Sequence, residues 1–353
     1  MTTVLNISRP GDAPRFKLVH IADLKLKPTQ WLIRDLLERD TLAMIFGEPK
    51  SGKSFIAVDI ACCIASGLDF HGRRVRAPGH VVILAGEGQA GLTKRLHAWC
   101  DWRKVNAADI PVNVSDGPAS IIDHEALRDV VAAVDQAAKK DGPPALVVVD
   151  TLARNFGPGD ESSTRDMNQF IQGLDEIRTT YNCGMLVIHH PGHGNKDRAR
   201  GAMALPGALD ALYRVDKDML GTVRFEPVFM KDAAIPPPLA FSLRVVELPI
   251  TDEDGRPETT CVLEATDFVP KVAPDKAGRH QKTMLHVLHD MHEKARAELD
   301  KTGRDPDTVR VFVTDWRKAC ADAGVPRNRV HEARRSMEER GQVNIRNECV
   351  FPC

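Results

Sequence analysis

Residues 45–67, IFGEPKSGKSFIAVDIACCIASG, decide the fold of this chain. The apolar residues before the glycines predict the end of a buried strand, and those after them predict a helix that ends at Gly67. Between the two lies the spacing Gly-x-x-x-x-Gly-Lys-Ser, which is typical of a phosphate-binding loop. The residues of this loop are Gly47, Glu48, Pro49, Lys50, Ser51, Gly52, Lys53 and Ser54.

Each part of the predicted loop has a chemical reason. The glycines allow backbone N–H groups to surround phosphate oxygens at the positive end of a helix. The ammonium group of Lys53 neutralises the outer phosphates of ATP, and the hydroxyl of Ser54 reaches Mg²⁺. The competing interpretation is a glycine-rich turn without a ligand. The flanking strand and helix favour nucleotide binding over that interpretation.

The composition indicates balanced charge and reduced cysteines. The 353 residues include 48 Lys and Arg against 49 Asp and Glu, a net charge of −1. This balance excludes a broad basic surface, so any contact with nucleic acid must be local. None of the eight cysteines forms a Cys-x-x-Cys pair, which argues against zinc and a disulfide framework. Because no apolar leader and no apolar run of membrane length is found, we expect a soluble, cytoplasmic protein without membrane contact.

Apolar runs that alternate with helical stretches predict an α/β core over residues 29–268. The runs LAMIF, HVVILAG, ALVVVD and GMLVIHH are continuous, as in strands covered on both faces. They predict a mostly parallel sheet flanked by helices. After Gly201, shorter runs separated by Gly, Pro and Asp predict antiparallel hairpins, beginning with DALYRVDKD. A flexible arm (1–28), a linker (269–279) and a small helix-rich module (280–353) complete the predicted organisation.

Acidic residues and histidines stand at the ends of the predicted strands. Asp150 ends one strand, where a carboxylate orders the ligands of Mg²⁺. Glu87 follows another strand and is a candidate for activating a water molecule, although a solvated loop acid fits the same pattern. His189 and His190 end a third strand and are candidates for contact with the γ-phosphate. With His193 they form an alternative metal site, but no Cys or carboxylate completes its ligand set.

The order of these motifs resembles that of RecA-type ATPases in the plasmid RepA replicative-helicase family and in RepA-like AAA ATPase modules of phages and mobile elements. The matching segments are the loop at 47–54, LAGEG, VVVDTLAR, LVIHHPG, RGAMALPGALDALYRV and MKDAAIPPPLAFSLRVVEL, within about residues 30–250. The resemblance implies a RecA-like core that forms a ring, usually a hexamer, with ATP and Mg²⁺ at the subunit interfaces. It also implies translocation on single-stranded DNA and unwinding of forked duplexes in replication, with a primase or replication initiator as a partner.

The resemblance also assigns roles to residues. Lys53 and Ser54 match the phosphate-binding pair, Glu87 matches the catalytic acid, and Asp150 matches the acid that holds Mg²⁺. The two histidines of LVIHH match a histidine sensor that precedes a DNA-facing loop.

The family places an arginine in trans, against the ATP of the neighbouring subunit. The spacing here leaves Arg214 as its match, one residue past the aligned position, with Arg200 and Arg224 as rivals. Lys231 resembles the lysine that accompanies this arginine.

Two segments are candidates for DNA contact. Residues 193–205 carry Lys196, Arg198 and Arg200 among glycines, as in a phosphate-contacting loop of a ring channel, and a solvated loop is the alternative. In the C-terminal module, two short helices and the segment QVNIRNECVFPC predict a winged helix. Its second helix carries the basic residues Arg327, Arg329, Arg334 and Arg335.

The C-terminal module has two interpretations. Residues 279–353 contain 15 Lys and Arg against 12 Asp and Glu, a mild excess of positive charge. DNA contact is favoured, and docking of another protein is the alternative.

Taken together, these patterns predict a Mg²⁺-dependent ATPase that moves on single-stranded DNA and unwinds duplexes. Two other functions fit the same motifs. One is an ATPase that loads or remodels protein on DNA without unwinding it. The other is a DNA-binding regulator in which ATP controls the C-terminal winged helix.

Overall fold

The computed structural model describes residues 18–86, 88–192, 195–199, 204–218, 221–267, 279–302, 305, 309–339, 343–346 and 348–352. The chain forms two compact units, Met1–Val269 and Pro270–Cys353. The predicted arm and linker lie partly outside the described residues, so the boundaries at 28, 268 and 280 stay predictions.

Nine strands of the described residues form the central sheet of the first unit. In spatial order they are β13 (Pro257–Thr266), β12 (Leu239–Thr251), β11 (Val223–Met230), β10 (Ala211–Lys217), β3 (Leu42–Phe46), β7 (Gly184–His189), β6 (Leu146–Asp150), β4 (Val81–Ala85) and β5 (Val112–Val114). The strands from β10 to β5 are parallel, and β10 to β13 pair antiparallel. The predicted α/β fold, with a mostly parallel sheet and late antiparallel strands, is confirmed.

Shorter strands and the helices complete the first unit. The strands are β1 (Trp31–Ile33), which pairs with β2 (Leu37–Glu38), and β8 (Pro191–Gly192), which pairs with β9 (Asn195–Ala199). The helices are α1 (Lys53–Ser66), α2 (Gln89–Arg103), α3 (His124–Asp141), α4 (Leu152–Asn155), α5 (Thr164–Tyr181) and α6 (Ala204–Ala208). No helix in the described part of the chain combines the length and apolar composition that a membrane span requires.

Two apolar cores lie on opposite faces of the sheet. Helices α1 and α2 contribute Ile60 and Trp99 to one core, and α5 contributes Phe170 and Leu174 to the other. Covering both faces explains why the central strands contain consecutive apolar residues instead of an alternating pattern. Every residue of β3, β4 and β7 is buried.

The segment DALYRVDKD forms β10, which pairs antiparallel with β11, as predicted. The pattern did not predict its second partner, because β10 also runs parallel to β3, with Ala211 opposite Ala43 and Arg214 opposite Phe46. Helix α6 lies between β7 and β10, so the chain returns by a crossover and enters the sheet in the original direction. Strand β10 therefore joins the parallel part of the sheet to the antiparallel part.

The second unit combines three helices with a small sheet among its described residues. Its elements are α7 (Arg279–Lys301), β14 (Val311–Phe312), α8 (Val313–Asp322), α9 (Arg327–Glu339), β15 (Val343–Arg346) and β16 (Cys349–Pro352). Strand β16 lies between β14 and β15 and pairs antiparallel with both. Trp316 is completely buried in the core of this unit, and its indole N–H donates to the carbonyl oxygen of Met284 at 3.0 Å.

We expect Trp316→Ala to lower the free energy of unfolding of the C-terminal unit by about 3–5 kcal/mol, because it empties the centre of a small core. Hydrogen exchange followed by mass spectrometry in increasing urea will report each unit separately. Trp99→Ala is the matched control, since Trp99 belongs to the core of the first unit. Equal loss of protection in both units of Trp316→Ala would contradict separate cores.

Candidate functional site

The phosphate-binding loop predicted from the sequence joins β3 to α1. Lys50 and Gly52 have positive φ angles, 64° and 105°, which turn the chain into the helix. Gly47 permits close packing, because a Cβ atom there would lie 2.0 Å from the carbonyl oxygen of Val215 on β10. Helix α1 starts without a side-chain cap. Its first N–H groups therefore point at the loop without an intrahelical acceptor.

Lys53 is the buried cation of this loop. It is 5% exposed, and its ammonium group donates to the carbonyl oxygens of Gly47 and Glu48, each at 2.8 Å. Burial lowers the pKa of Lys53 to about 8, while the charges of Asp150 and Glu48 act in the opposite direction. The loop thus concentrates positive potential at the start of α1.

The loop has the features that a bound polyphosphate requires. The hydroxyl of Ser51 is buried and has no hydrogen-bond partner among the described residues. The same loop also contains the uncapped start of α1 and the buried ammonium group of Lys53. Each of these three groups gains a partner when an anion with several oxygens occupies the loop. The residues present therefore fit a nucleoside triphosphate.

The phosphate-binding loop, His189 and Asp150 lie at the same edge of the sheet, where the parallel strands β3, β7 and β6 end. The loop follows Phe46, which is opposite His189 on β7, and Asp150 on β6 is opposite Ile188. One strand therefore separates the loop from Asp150, and that strand ends at His189. His189 is buried, whereas Asp150 and His190 are partly exposed.

Glu87 lies outside the described residues, and Gly86 before it directly follows β4. The N–H group of Gly86 donates to the carbonyl oxygen of Asp150 at 2.8 Å. A Cβ atom at Gly86 would lie 2.2 Å from Cβ of Arg154, so only glycine fits there. The chain therefore leaves β4 toward Glu87 beside the strand that ends at Asp150.

The sequence interpretation missed Asn155, which is completely buried next to this edge. Its side-chain amide donates to the carbonyl oxygens of Leu84 and Thr151 and accepts from the N–H group of Ala119. The available signal was an amide side chain in the stretch TLARNF, five residues after Asp150.

The trans-acting candidates among the described residues have carboxylate partners within their own chain. Arg214 pairs with Glu226 on the neighbouring strand. Arg224 is buried and pairs with Asp218 at 2.9 Å and with Asp216 at 3.6 Å. Arg200 lies outside the described residues.

Lys231 differs from the two arginines in its place on the hairpin. Its ammonium group lies 3.3 Å from Asp210, whose carboxylate accepts from the N–H group of Leu42 at the start of β3. Arg214 lies opposite Phe46 at the other end of that strand. The two ends of β3 are about 13 Å apart. Lys231 is therefore on the opposite edge of the sheet from the phosphate loop of its own chain.

Candidates for DNA contact lie on β9 and α9. Lys196 and Arg198 belong to β9, and their side chains lie outside the described part of the chain. On α9, Arg329 pairs with Glu332 at 2.8 Å and Arg334 approaches Glu338 at 3.8 Å. Arg335 is exposed on the same helix.

The alternative metal site finds no support in the described residues. Within them, no group of three or more His, Cys, Asp or Glu is arranged to hold a metal ion. His193 lies outside this part of the chain.

Comparison with known proteins identifies one family. A family model described as an AAA domain matches residues 10–196, which are 187 of the 353 residues. The match includes the phosphate loop, Asp150 and the two histidines that end β7. A search of curated proteins gave no match.

The lowered pKa of Lys53 predicts how affinity for ATP depends on pH. Bound phosphate favours the charged ammonium and raises its pKa, so the complex holds its proton at pH values where the free protein has lost it. The pKa of Lys53 in the free protein is about 8. We therefore expect constant affinity well below pH 8, and a decline of up to about tenfold per pH unit above it.

Isothermal titration calorimetry in two buffers of different ionisation enthalpy measures this effect as proton uptake on binding. In this range the terminal phosphate has already lost its last proton, so it does not contribute. Lys53→Arg is the control, because a guanidinium group stays charged throughout. Affinity that is independent of pH in the wild-type protein would contradict the assignment of the buried cation.

Proposed function

The chain belongs to the AAA-domain family, and we propose that it is a Mg²⁺-dependent ATPase of the RepA type, which moves on single-stranded DNA and unwinds duplexes in replication. The observation that carries this proposal is the shared sheet edge of the phosphate loop, His189 and Asp150. In open α/β sheets, ligands bind outside the carboxyl ends of the strands. The loop holds the phosphates there, and the two other residues flank their outer end.

The proposed chemistry divides the site into a binding part and a hydrolytic part. The loop and Lys53 bind the phosphates by backbone donors and charge. Ser54 and Asp150 would hold Mg²⁺, and the ion would supply positive charge that neutralises the phosphates. Glu87 accepts the proton of the attacking water. His189 contacts the γ-phosphate and communicates its presence to β8 and β9, which directly follow β7.

We propose that the active form is a ring, with a hexamer as the expected size, and that each ATP contacts two subunits. Phosphoryl transfer is accelerated when a second cation approaches the γ-phosphate opposite the loop lysine. Lys231 is 62% exposed and lies at the sheet edge away from its own loop. This position suits contact with the ATP of a neighbour. Arg214 is the second candidate, although it lies beside the loop of its own subunit.

Two surfaces are proposed to contact DNA. Strands β8 and β9 follow the histidines of the site. Contacts of these strands with DNA phosphates are therefore coupled to the state of the bound nucleotide. In the second unit, the order α8, α9, β15, β16 matches a winged helix, with Arg329 and Arg335 exposed on α9. A primase or replication initiator is the proposed protein partner.

Forked DNA tests the proposed function directly. We expect the wild-type protein with ATP and Mg²⁺ to separate the strands of a fork, and single-stranded DNA to stimulate its ATPase activity. Lys53→Ala should abolish nucleotide binding and unwinding together, because the loop loses its buried cation. Glu87→Gln should bind ATP but hydrolyse it about 10²–10⁴-fold more slowly, because an amide does not accept the proton of water.

The same assay separates the alternative functions. DNA-stimulated ATP hydrolysis without strand separation would favour an ATPase that loads or remodels protein on DNA. ATP-dependent binding to one duplex sequence without turnover would favour a DNA-binding regulator. Wild-type turnover in Glu87→Gln would show that another residue is the catalytic acid.

Mixing two inactive variants tests whether sites are shared. We expect Lys231→Ala to bind ATP and assemble but to hydrolyse ATP at least about tenfold more slowly. Mixed with Lys53→Ala, it should regain part of its activity, because mixed rings contain interfaces in which both halves are intact. Lys217→Ala is the matched control, since Lys217 is an exposed lysine at the end of β10.

The outcome assigns the trans-acting cation. Full activity of Lys231→Ala together with loss of activity in Arg214→Ala would transfer the role to Arg214. A catalytically competent monomer at high dilution would contradict the shared site itself.

A further inference from the structure

Strand β4, which leads to Glu87, extends beyond its outer neighbour. It pairs with β5 only as far as Ile83, which is opposite Val114. On its other side it pairs with β6 up to Ala85, which is opposite Asp150. Beyond Ile83, the backbone N–H and C=O groups on the side of β4 that faces β5 therefore have no strand partner. Buried backbone groups in this position need other hydrogen-bond partners.

Side chains supply these partners. The N–H group of Ala85 donates to the hydroxyl oxygen of Ser115 at 2.9 Å. The amide of Gln89 donates to the carbonyl oxygens of Ala85 and Ser115, at 3.1 and 2.9 Å. On the other side of β4, which faces β6, the amide of Asn155 donates to the carbonyl oxygen of Leu84 at 3.1 Å. The last residues before Glu87 are thus fixed by three polar side chains.

Asn155 connects this segment to two others. Its amide nitrogen also donates to the carbonyl oxygen of Thr151 at 2.9 Å, directly after Asp150. Its amide oxygen accepts from the N–H group of Ala119 at 2.8 Å, in the loop that begins at Ser115. Both donors and the acceptor of this buried amide are therefore used.

We infer that Asn155, supported by Ser115, is a positioning residue that sets the place of Glu87 relative to Asp150 and thereby governs hydrolysis of ATP without governing its binding. The inference rests on the proposed role of Glu87. It concerns residues that do not contact the phosphate loop, which is held separately by β10. Loss of the amide donors should displace the catalytic acid and leave the binding part of the site intact.

The test uses the full-length protein and two independent variants. Asn155→Asp keeps the shape of the side chain but places carboxylate oxygens against the carbonyl oxygens of Leu84 and Thr151. We expect kcat to fall at least about tenfold, because small misplacements of reacting groups have large effects. Ser115→Ala should lower kcat in the same direction by about threefold or more. Dissociation constants for a fluorescent ATP analogue should stay within about twofold of wild type in both variants.

Matched substitutions separate positioning from stability. Asn113→Asp removes amide donors to His80 and Asp141 near the start of β4, at the other end of that strand from Ala85, so it should lower stability and keep kcat. Ser66→Ala removes a hydroxyl group at the end of α1 and should change neither quantity. If Asn155→Asp does not fold, Ser115→Ala decides the outcome.

A double-mutant cycle with Glu87→Gln shows whether Asn155 acts through Glu87. We expect Asn155→Asp to cause no further loss in single-turnover hydrolysis by Glu87→Gln, because the group it positions is already disabled. The same fractional loss in both backgrounds would overturn the inference. Wild-type kcat in Asn155→Asp and Ser115→Ala, with Glu87→Gln inactive, would overturn it while the proposed function stands. Wild-type turnover in Glu87→Gln would instead overturn the proposed role of Glu87.

Discussion

The close packing of the phosphate loop against the hairpin of β10 and β11 is the constraint on which the site depends. The carbonyl oxygen of Val215 occupies the space that a side chain at Gly47 would need. The methyl groups of Val223 take the equivalent space at Gly52, whose φ angle of 105° already favours glycine. Gly47 is therefore required by contact with the hairpin, and Gly52 is required by its φ angle, with Val223 packed closely beside it. This contact fixes the loop carbonyls to which Lys53 donates.

Ion pairs along the same hairpin hold it in register. Arg224 follows Val223 and is buried against Asp216 and Asp218, so removal of both carboxylates would leave the buried guanidinium without these partners. Such a loss typically costs about 3–5 kcal/mol. The more exposed pair of Arg214 and Glu226 contributes much less to stability. The buried pairs thus stabilise the strand whose valine contacts the loop, and charge on the hairpin is linked to the geometry of the phosphate site.

Local patterns in the sequence were sufficient for the central strands and the loop, because each is encoded by adjacent residues. The apolar runs before Gly47 and before Asp150 became β3 and β6 as predicted. Partners that are distant in the sequence were not predictable in this way. The parallel direction of β10 depends on the crossover through α6, and the role of Asn155 depends on contacts with residues up to 71 positions away. Likewise, the separation of Arg214 from Lys231 follows from strand register, which the spacing of basic residues does not reveal.

A buried carboxylate joins the two helices that follow the site segments. Asp59 on α1 accepts hydrogen bonds from the indole of Trp99 on α2 at 2.6 Å and from His71 at 2.5 Å. Helix α1 begins at Lys53, and α2 begins at Gln89, two residues after Glu87. A buried carboxylate is tolerated only where its partners are held in place, so these bonds restrict how α1 and α2 shift against each other. Lys53 and Gln89 consequently begin two helices that this carboxylate links. Beyond Ile83, side-chain hydrogen bonds to Ala85 replace the pairing of β4 with β5, so this end of β4 is held by Ser115 and by Gln89 of α2.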